Sequence, residues 1–214
     1  ESLTSITIPD RVTKIGDGAF HNCTGLTNIT LGKKLAEVDE SAFADCTNLI
    51  KAIINCTSIP KIGRIDNLKE VILEENVAGA DQHAFSDCYK IEKLIVNCKT
   101  VPKLSIGSLK EIVIGKNVTK IPGGVFNYER LLTSLSVEAE NAVYCSENNV
   151  IYTKDKTEFI AVMYGLTSIS IPAGITKIGS GIFLDYVSLT SITIPDRVTK
   201  IGNVAFYYCT GLKD

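Results

Sequence analysis

Seven cysteines and two histidines are the residues of this sequence with the most distinctive chemistry, because both types can act as nucleophiles, bases or metal ligands. Six of the cysteines recur in two short motifs. They are Cys23, Cys46, Cys88 and Cys209 in AFxxC, and Cys56 and Cys98 in NCxxxP. No two cysteines have the CxxC spacing of a zinc site, and an odd number argues against a complete disulfide framework. We therefore interpret the recurring cysteines as small apolar core residues.

The two histidines, His21 and His83, provide no catalytic arrangement. Neither has a carboxylate or hydroxyl partner at a recurring position, as a catalytic triad would need. The GxSxG, HExxH, GxGxxG and phosphate-loop motifs are also absent from the sequence. We predict no catalytic, cofactor-binding or metal-binding residues, and we do not expect an enzyme.

An internal repeat dominates the chain. The segment LTSITIPDRVTKIG at 3–16 recurs unchanged at 189–202. With the leading leucine as place 1, repeats begin at Leu3, Leu26, Leu49, Leu68, Ile91, Leu109, Leu132, Leu166 and Leu189. Most are 23 residues long, whereas the third and fifth have 19 and 18, and the seventh has 34 because it carries an insertion. This periodicity is typical of a solenoid.

Each repeat contains a strand pattern followed by a turn pattern. In the opening LxxIxI, apolar β-branched residues lie two apart, which predicts a strand with one buried face. Proline follows at Pro9, Pro172 and Pro195 and should end the strand. The remaining GxxAFxxC is too short for a long helix and predicts turns or a short 3₁₀ segment. We expect one solenoid over 1–214, with a single continuous parallel sheet on one face.

The outward-facing strand places are candidates for a binding surface. In the outer repeats they are mostly threonine and serine, but in repeats three to six place 5 is apolar. These four residues, which we call the apolar stripe, are Ile53, Ile72, Ile95 and Val113. Place 3 alternates in charge and forms the charged row, Lys51, Glu70, Lys93 and Glu111. A contiguous exposed apolar patch often marks a contact surface, although β-propensity also explains such a stripe, and cross-strand pairing explains the charges.

The pattern LxxIxIPxxVTxIGxxAFxxCxx, which covers essentially the whole chain, resembles the BspA-like leucine-rich repeat. It differs from the commoner LxxLxLxxNxL because Arg11, Lys34 and Arg197 occupy the asparagine place. The insertion at about 138–164 resembles the β-hairpin that interrupts such arrays, with KDKT at 154–157 as its turn. The resemblance implies a right-handed leucine-rich-repeat coil in a cell-surface or secreted protein, used for adhesion or protein binding.

The composition of the chain argues against some classes of binding partner. A net charge of −2 without long runs of like charge argues against nucleic acid, and no apolar stretch is long enough for a membrane helix. We expect a protein partner, such as host extracellular matrix or a receptor, or a glycan, and the alternative role is a passive spacer that presents another domain. Because solenoids usually carry polar caps and none is visible, we expect a fragment of a longer protein that can associate end to end.

Overall fold

A computed structural model describes residues 3–213, which form eighteen β-strands and no helix. In chain order the strands are β1 (Ser5–Thr7), β2 (Lys14–Ile15), β3 (Asn28–Leu31), β4 (Glu37–Val38), β5 (Lys51–Ile54), β6 (Ser58–Ile59), β7 (Glu70–Leu73), β8 (Gly79–Ala80), β9 (Lys93–Val96), β10 (Glu111–Ile114), β11 (Ser134–Val137), β12 (Tyr144–Glu147), β13 (Val150–Thr153), β14 (Glu158–Val162), β15 (Ser168–Ser170), β16 (Lys177–Ile178), β17 (Ser191–Thr193) and β18 (Lys200–Ile201). Within that range nothing helical is long and apolar enough to cross a membrane.

The first seven repeats each contribute one strand to a parallel sheet ordered β1-β3-β5-β7-β9-β10-β11. The strands pair in register, so that Ile29 lies between Ile6 and Ala52 of the neighbouring coils. Inward residues of β3, β5, β7, β9 and β10 are buried and outward residues are half-buried. The leading leucines at Leu26 and Leu49 are fully buried, and burying a side chain of this size contributes about 1.5–3 kcal/mol.

Turns make up the opposite face of the solenoid, and their backbone hydrogen bonds alternate in direction. In the first repeat, the amides of Ala19, His21 and Cys23 donate three residues back along the chain. The intervening amides of Phe20 and Asn22 instead donate to carbonyl groups of the next coil. Since a 3₁₀ helix needs consecutive bonds within the segment, this alternation produces turns rather than the 3₁₀ segments that the sequence allowed.

The insertion in the seventh repeat is a three-stranded antiparallel meander, one strand larger than the predicted hairpin. Strand β12 pairs with β13 through a tight turn at Asn148 and Asn149, both in the left-handed region. Strand β13 pairs with β14 through the predicted turn at 154–157. Left-handed conformations at both central residues are typical of a type I′ turn, and asparagine tolerates them well.

The meander ends the first sheet and begins a second one. Side chains of the insertion accept hydrogen bonds from the edge strand β11, with Asn149 Oδ1 3.0 Å from the Leu135 amide and Ser146 Oγ 2.9 Å from the Val137 amide. Strand β14 then pairs in parallel with β16, and β16 with β18. The edge of β11 is thereby satisfied without another strand.

The expectation of one continuous sheet is therefore wrong, although the solenoid is confirmed. Strands β15 and β17 form a separate two-stranded parallel sheet, and the apolar core divides into two clusters on either side of the meander. Ile151 packs into the first cluster, whereas Val150 and Tyr152 pack into the second. The reason is that successive side chains of β13 point to opposite faces of the meander, so both of its faces are apolar.

Candidate functional site

The apolar stripe is contiguous on the outward face of the first sheet. Ile53 lies opposite Ile72, Ile72 opposite Ile95, and Ile95 opposite Val113, so the four side chains form a row across β5, β7, β9 and β10. All four are half-buried. Thr30 and Ser136 flank the stripe at the same place on the adjoining strands. The arrangement predicted from the sequence is thus present as a surface bounded by polar residues.

The charged row runs beside the stripe and is paired. Lys51 Nζ lies 2.8 Å from Glu70 Oε1, and Lys93 Nζ lies 3.0 Å from Glu111 Oε1. About a third of each of these side chains is exposed, so each pair contributes at most about 1 kcal/mol to stability. Because the charges neutralise one another in pairs, the row borders the stripe without giving it a net charge.

The recurring cysteines lie where the repeat places them. All are free thiols within the described residues, and Cys46, Cys56, Cys88 and Cys98 are buried. Three thiols also donate to a carbonyl oxygen of the adjacent coil. Cys46 Sγ lies 3.0 Å from the Phe20 oxygen, Cys88 Sγ 3.5 Å from that of Gly63, and Cys209 Sγ 2.9 Å from that of Phe183. Burial raises the pKa of Cys56, Cys88 and Cys98 to about 11, which disfavours the reactive thiolate.

The histidines lie on the surface and are far apart in the repeat array. His21 Nε2 is 3.2 Å from Asp45 Oδ2, and both side chains are more than half exposed. His83 lies on the turn face, beside the fifth repeat. Over residues 3–213, no three histidine, cysteine, aspartate or glutamate side chains lie close enough to hold a metal ion.

The aromatic residues of the insertion pack rather than form a free surface. Tyr144, Tyr152 and Phe159 are buried, and the Tyr152 and Phe159 rings meet edge to face with centroids 5.3 Å apart. Tyr164 packs against Tyr186 at 5.1 Å. These rings therefore pack the meander onto the stack of repeats.

Three buried polar residues were not identified from the sequence as structural. They are Asn127, Glu129 and Asn141. Asn127 Nδ2 donates to the carbonyl oxygens of Gly181 and Leu184, at 2.8 and 3.2 Å, and so joins the two blocks of the solenoid. Glu129 occupies the place that holds cysteine in other repeats, and burial raises its pKa to about 7. For Glu129 and Asn141 the available sequence signal was a polar residue at a repeat place that is otherwise apolar.

The repeated coil, the parallel sheet and the buried leucine and cysteine places together define a leucine-rich-repeat solenoid. The model of the BspA type leucine rich repeat region, in six copies, matches residues 1–105, 63–158 and 156–214. The chain belongs to this family. No curated protein sequence matches it.

Several solved structures of bacterial leucine-rich-repeat proteins share the fold. A leucine rich cell surface protein from Faecalibacterium prausnitzii is 26% identical with a TM-score of 0.55, and the match covers 99% of this chain and 60% of that one. A leucine-rich repeat protein from Eubacterium ventriosum is 22% identical, and the pneumococcal vaccine antigen PcpA is 21% identical, both with a TM-score of 0.55. Their matches cover 99% of this chain and 59% and 60% of those chains. The chain thus spans about three fifths of the length of these relatives.

Proposed function

We propose that this protein is a non-catalytic protein-binding module that uses the outward face of the sheet in repeats three to six. The observation that supports this role is the apolar stripe, a row of half-buried Ile53, Ile72, Ile95 and Val113 on a rigid scaffold. A protein partner that covers this row would remove it from water, and each buried methylene group would contribute about 0.8 kcal/mol.

The charged row supplies the second element of the proposed interface. Lys51, Glu70, Lys93 and Glu111 lie at place 3 of the same strands. A polar rim beside an apolar centre is the usual organisation of a protein interface, and paired charges at a rim contribute more to orientation than to affinity. We therefore assign binding energy to the stripe and orientation to the row.

The proposed location is the cell surface or the extracellular space. The support is the family, together with the similarity to a leucine rich cell surface protein and to a vaccine antigen. In that location the partner would be a host extracellular-matrix protein or a receptor.

The proposal is tested by replacing Ile72 and Ile95 with aspartate and measuring capture of purified matrix proteins and receptor ectodomains by surface plasmon resonance. Two unpaired carboxylates in the interface should weaken capture at least about tenfold, which corresponds to about 1.4 kcal/mol. The matched control replaces Ser170 and Thr193 with aspartate, at the same place on β15 and β17 in the separate sheet, and should leave capture unchanged.

Two outcomes would contradict the proposal. If Ile72→Asp/Ile95→Asp retains full capture while it remains folded, the partner binds elsewhere. If no protein in the panel binds at micromolar concentration, the result favours a passive spacer. The threonine- and serine-rich outer strands, such as β1 and β17, fit that alternative because they offer no apolar contact surface.

A further inference from the structure

The face opposite the sheet carries a cleft of about 940 Å³ at the fifth repeat. This repeat has 18 residues and lacks the AFxxC turn segment found in the fourth. Its replacement is the segment 103–108, which lies between Phe85 and Tyr89 of the fourth repeat and Tyr128 and Leu131 of the sixth. The cleft is therefore the space left by a missing turn, and its volume is within the usual range for small-molecule sites.

The other short repeat does not leave such a space. In the third repeat, Arg64 and Asp66 form an ion pair of 2.7 Å over the corresponding segment, and the depression beside them measures about 210 Å³. The fifth repeat instead places Ser105 and Gly107 at these two positions. Small residues in place of a long ion pair keep the cleft open.

Two tyrosine rings stand at opposite sides of the cleft. Tyr89 is 73% exposed and Tyr128 is 52% exposed, although large aromatic side chains usually bury most of their surface. The floor between them is apolar, with Phe85 and Ile106 buried. Exposed flat rings above an apolar floor suit a ligand that has both apolar C–H faces and polar edges, as a pyranose ring does.

Hydrogen-bonding groups line the same cleft. Ser86, Ser105, Gln82 and His83 contribute hydroxyl, amide and imidazole groups, and such groups can pair with sugar hydroxyls. Lys103 adds a cation, and no acidic residue lines the cleft. In the part of the chain that the structure describes, Lys103 forms no salt bridge. Its ammonium group is therefore available to an anionic ligand.

The floor is also held in place from beneath. The Ile106 amide donates to Oε1 of the buried Glu129 of the sixth repeat at 3.3 Å, and the Ser108 hydroxyl donates to the Ile91 carbonyl oxygen at 2.7 Å. These bonds fix both neighbours of Gly107 before any ligand arrives. A pre-organised site loses less entropy when it binds.

From these features we propose that the cleft of the fifth repeat binds an acidic oligosaccharide. Tyr89 and Tyr128 stack on sugar rings, the serine hydroxyls pair with sugar hydroxyls, and Lys103 pairs with a sugar carboxylate. The site is separate from the sheet face, and its ligand class differs from that of the proposed protein interface.

The test measures binding of 3′-sialyllactose and of a hyaluronan hexasaccharide to the intact chain by two-dimensional NMR, with lactose as the uncharged comparison. We expect chemical-shift changes at Tyr89, Lys103 and Tyr128, and tighter binding of the two acidic sugars than of lactose. Tyr89→Ala and Tyr128→Ala should each weaken binding about tenfold, or about 1.4 kcal/mol. The control is Tyr207→Ala, which removes a comparably exposed tyrosine from the last full repeat and should have no effect.

Lys103→Gln separates the acidic preference from sugar binding itself. This variant should bind lactose as the wild type does but lose the preference for the acidic sugars. Absence of shifts with every sugar at millimolar concentration would overturn the proposal, as would shifts that survive both tyrosine substitutions. Binding of the acidic sugars and lactose with equal affinity would overturn the role of Lys103.

Discussion

Replacement of Asn141 by leucine should lower the free energy of unfolding by about 3 kcal/mol or more, because it leaves three backbone groups without partners at about 1 kcal/mol or more each. The Gly115 carbonyl oxygen still accepts from the Val118 amide. Asn141 Nδ2 donates to the carbonyl oxygens of Gly115 and Val118 at 2.8 and 3.0 Å. Its Oδ1 accepts from the amides of Val143 and Tyr144, both at 2.8 Å. Leucine has the same branched heavy-atom skeleton, so the exchange leaves no cavity and the loss reports chiefly the hydrogen bonds. The measurement is equilibrium urea unfolding.

The control for this prediction is Asn117→Leu, the same exchange at an exposed asparagine of the preceding repeat. It should change the free energy of unfolding by no more than about 0.5 kcal/mol. Asn141→Asp keeps the two acceptor contacts but turns a carboxylate oxygen toward the Gly115 and Val118 carbonyl groups in a buried site, so it should be at least as destabilised as the leucine variant. A loss below about 1 kcal/mol for Asn141→Leu would show that these backbone groups find other partners.

The second large effect concerns Glu129, whose titration should make the fold less stable as pH rises. The side chain is 4% exposed, its Oε2 atom has no hydrogen-bond partner, and burial raises its pKa from 4.5 to about 7. Between these two values the folded chain holds a proton that the unfolded chain releases, so stability is highest below about pH 4.5 and falls until about pH 7. The shift corresponds to a loss on the order of 3 kcal/mol.

Glu129→Gln tests this linkage because glutamine is neutral at every pH and can still accept from the Ile106 amide. Relative to the glutamine variant, the wild type should lose about 3 kcal/mol of unfolding free energy between about pH 5 and about pH 8. The same exchange at the exposed Glu140 provides the matched control. If the wild type and Glu129→Gln keep a constant stability difference across that range, Glu129 does not titrate as its burial implies.

These two residues show how buried polar groups adapt a repeat to an interruption. Asn141 begins the insertion and ties it to the sixth repeat through the Gly115 and Val118 carbonyl groups. Glu129 takes the cysteine place beside the short fifth repeat and accepts the Ile106 amide. In regular repeats the next coil supplies the hydrogen-bond partner, as when the Cys46 thiol donates to the Phe20 carbonyl oxygen.

The regular part of the fold could be predicted from the sequence. Strand positions, the burial of Leu26 and Leu49, and the alignment of Ile53, Ile72 and Ile95 follow from a repeat that places equivalent residues at equivalent depths. The same reasoning placed Cys46, Cys56, Cys88 and Cys98 in the core and the turn of the insertion at 154–157, whereas Cys23 and Cys209, in the first and last full repeats, are only half-buried. Each of these features depends only on the alternation of inward and outward side chains along a strand and on contact with the adjacent coil.

The irregular part could not be predicted in this way. The sequence shows where repeats three, five and seven change length. It does not show whether such a change leaves a space open or which side chains fill that space. Arg64 and Asp66 cover one gap, whereas Ser105 and Gly107 leave the other open. These outcomes depend on side chains from different coils, such as Tyr89 and Tyr128, which line opposite sides of the cleft.

By itself, then, the sequence determined the repeat, its phase and the faces of its strands. Side chains alternate between two faces along each strand, and equivalent residues recur once per coil along the stack. Together these two periodicities fix which side chains point inward. Only the tertiary structure decided that the meander divides the core, that Asn127 joins the blocks on either side, and that a cleft opens at the fifth repeat. Those features arise where periodicity fails, and there the packing of particular side chains across several coils sets the geometry.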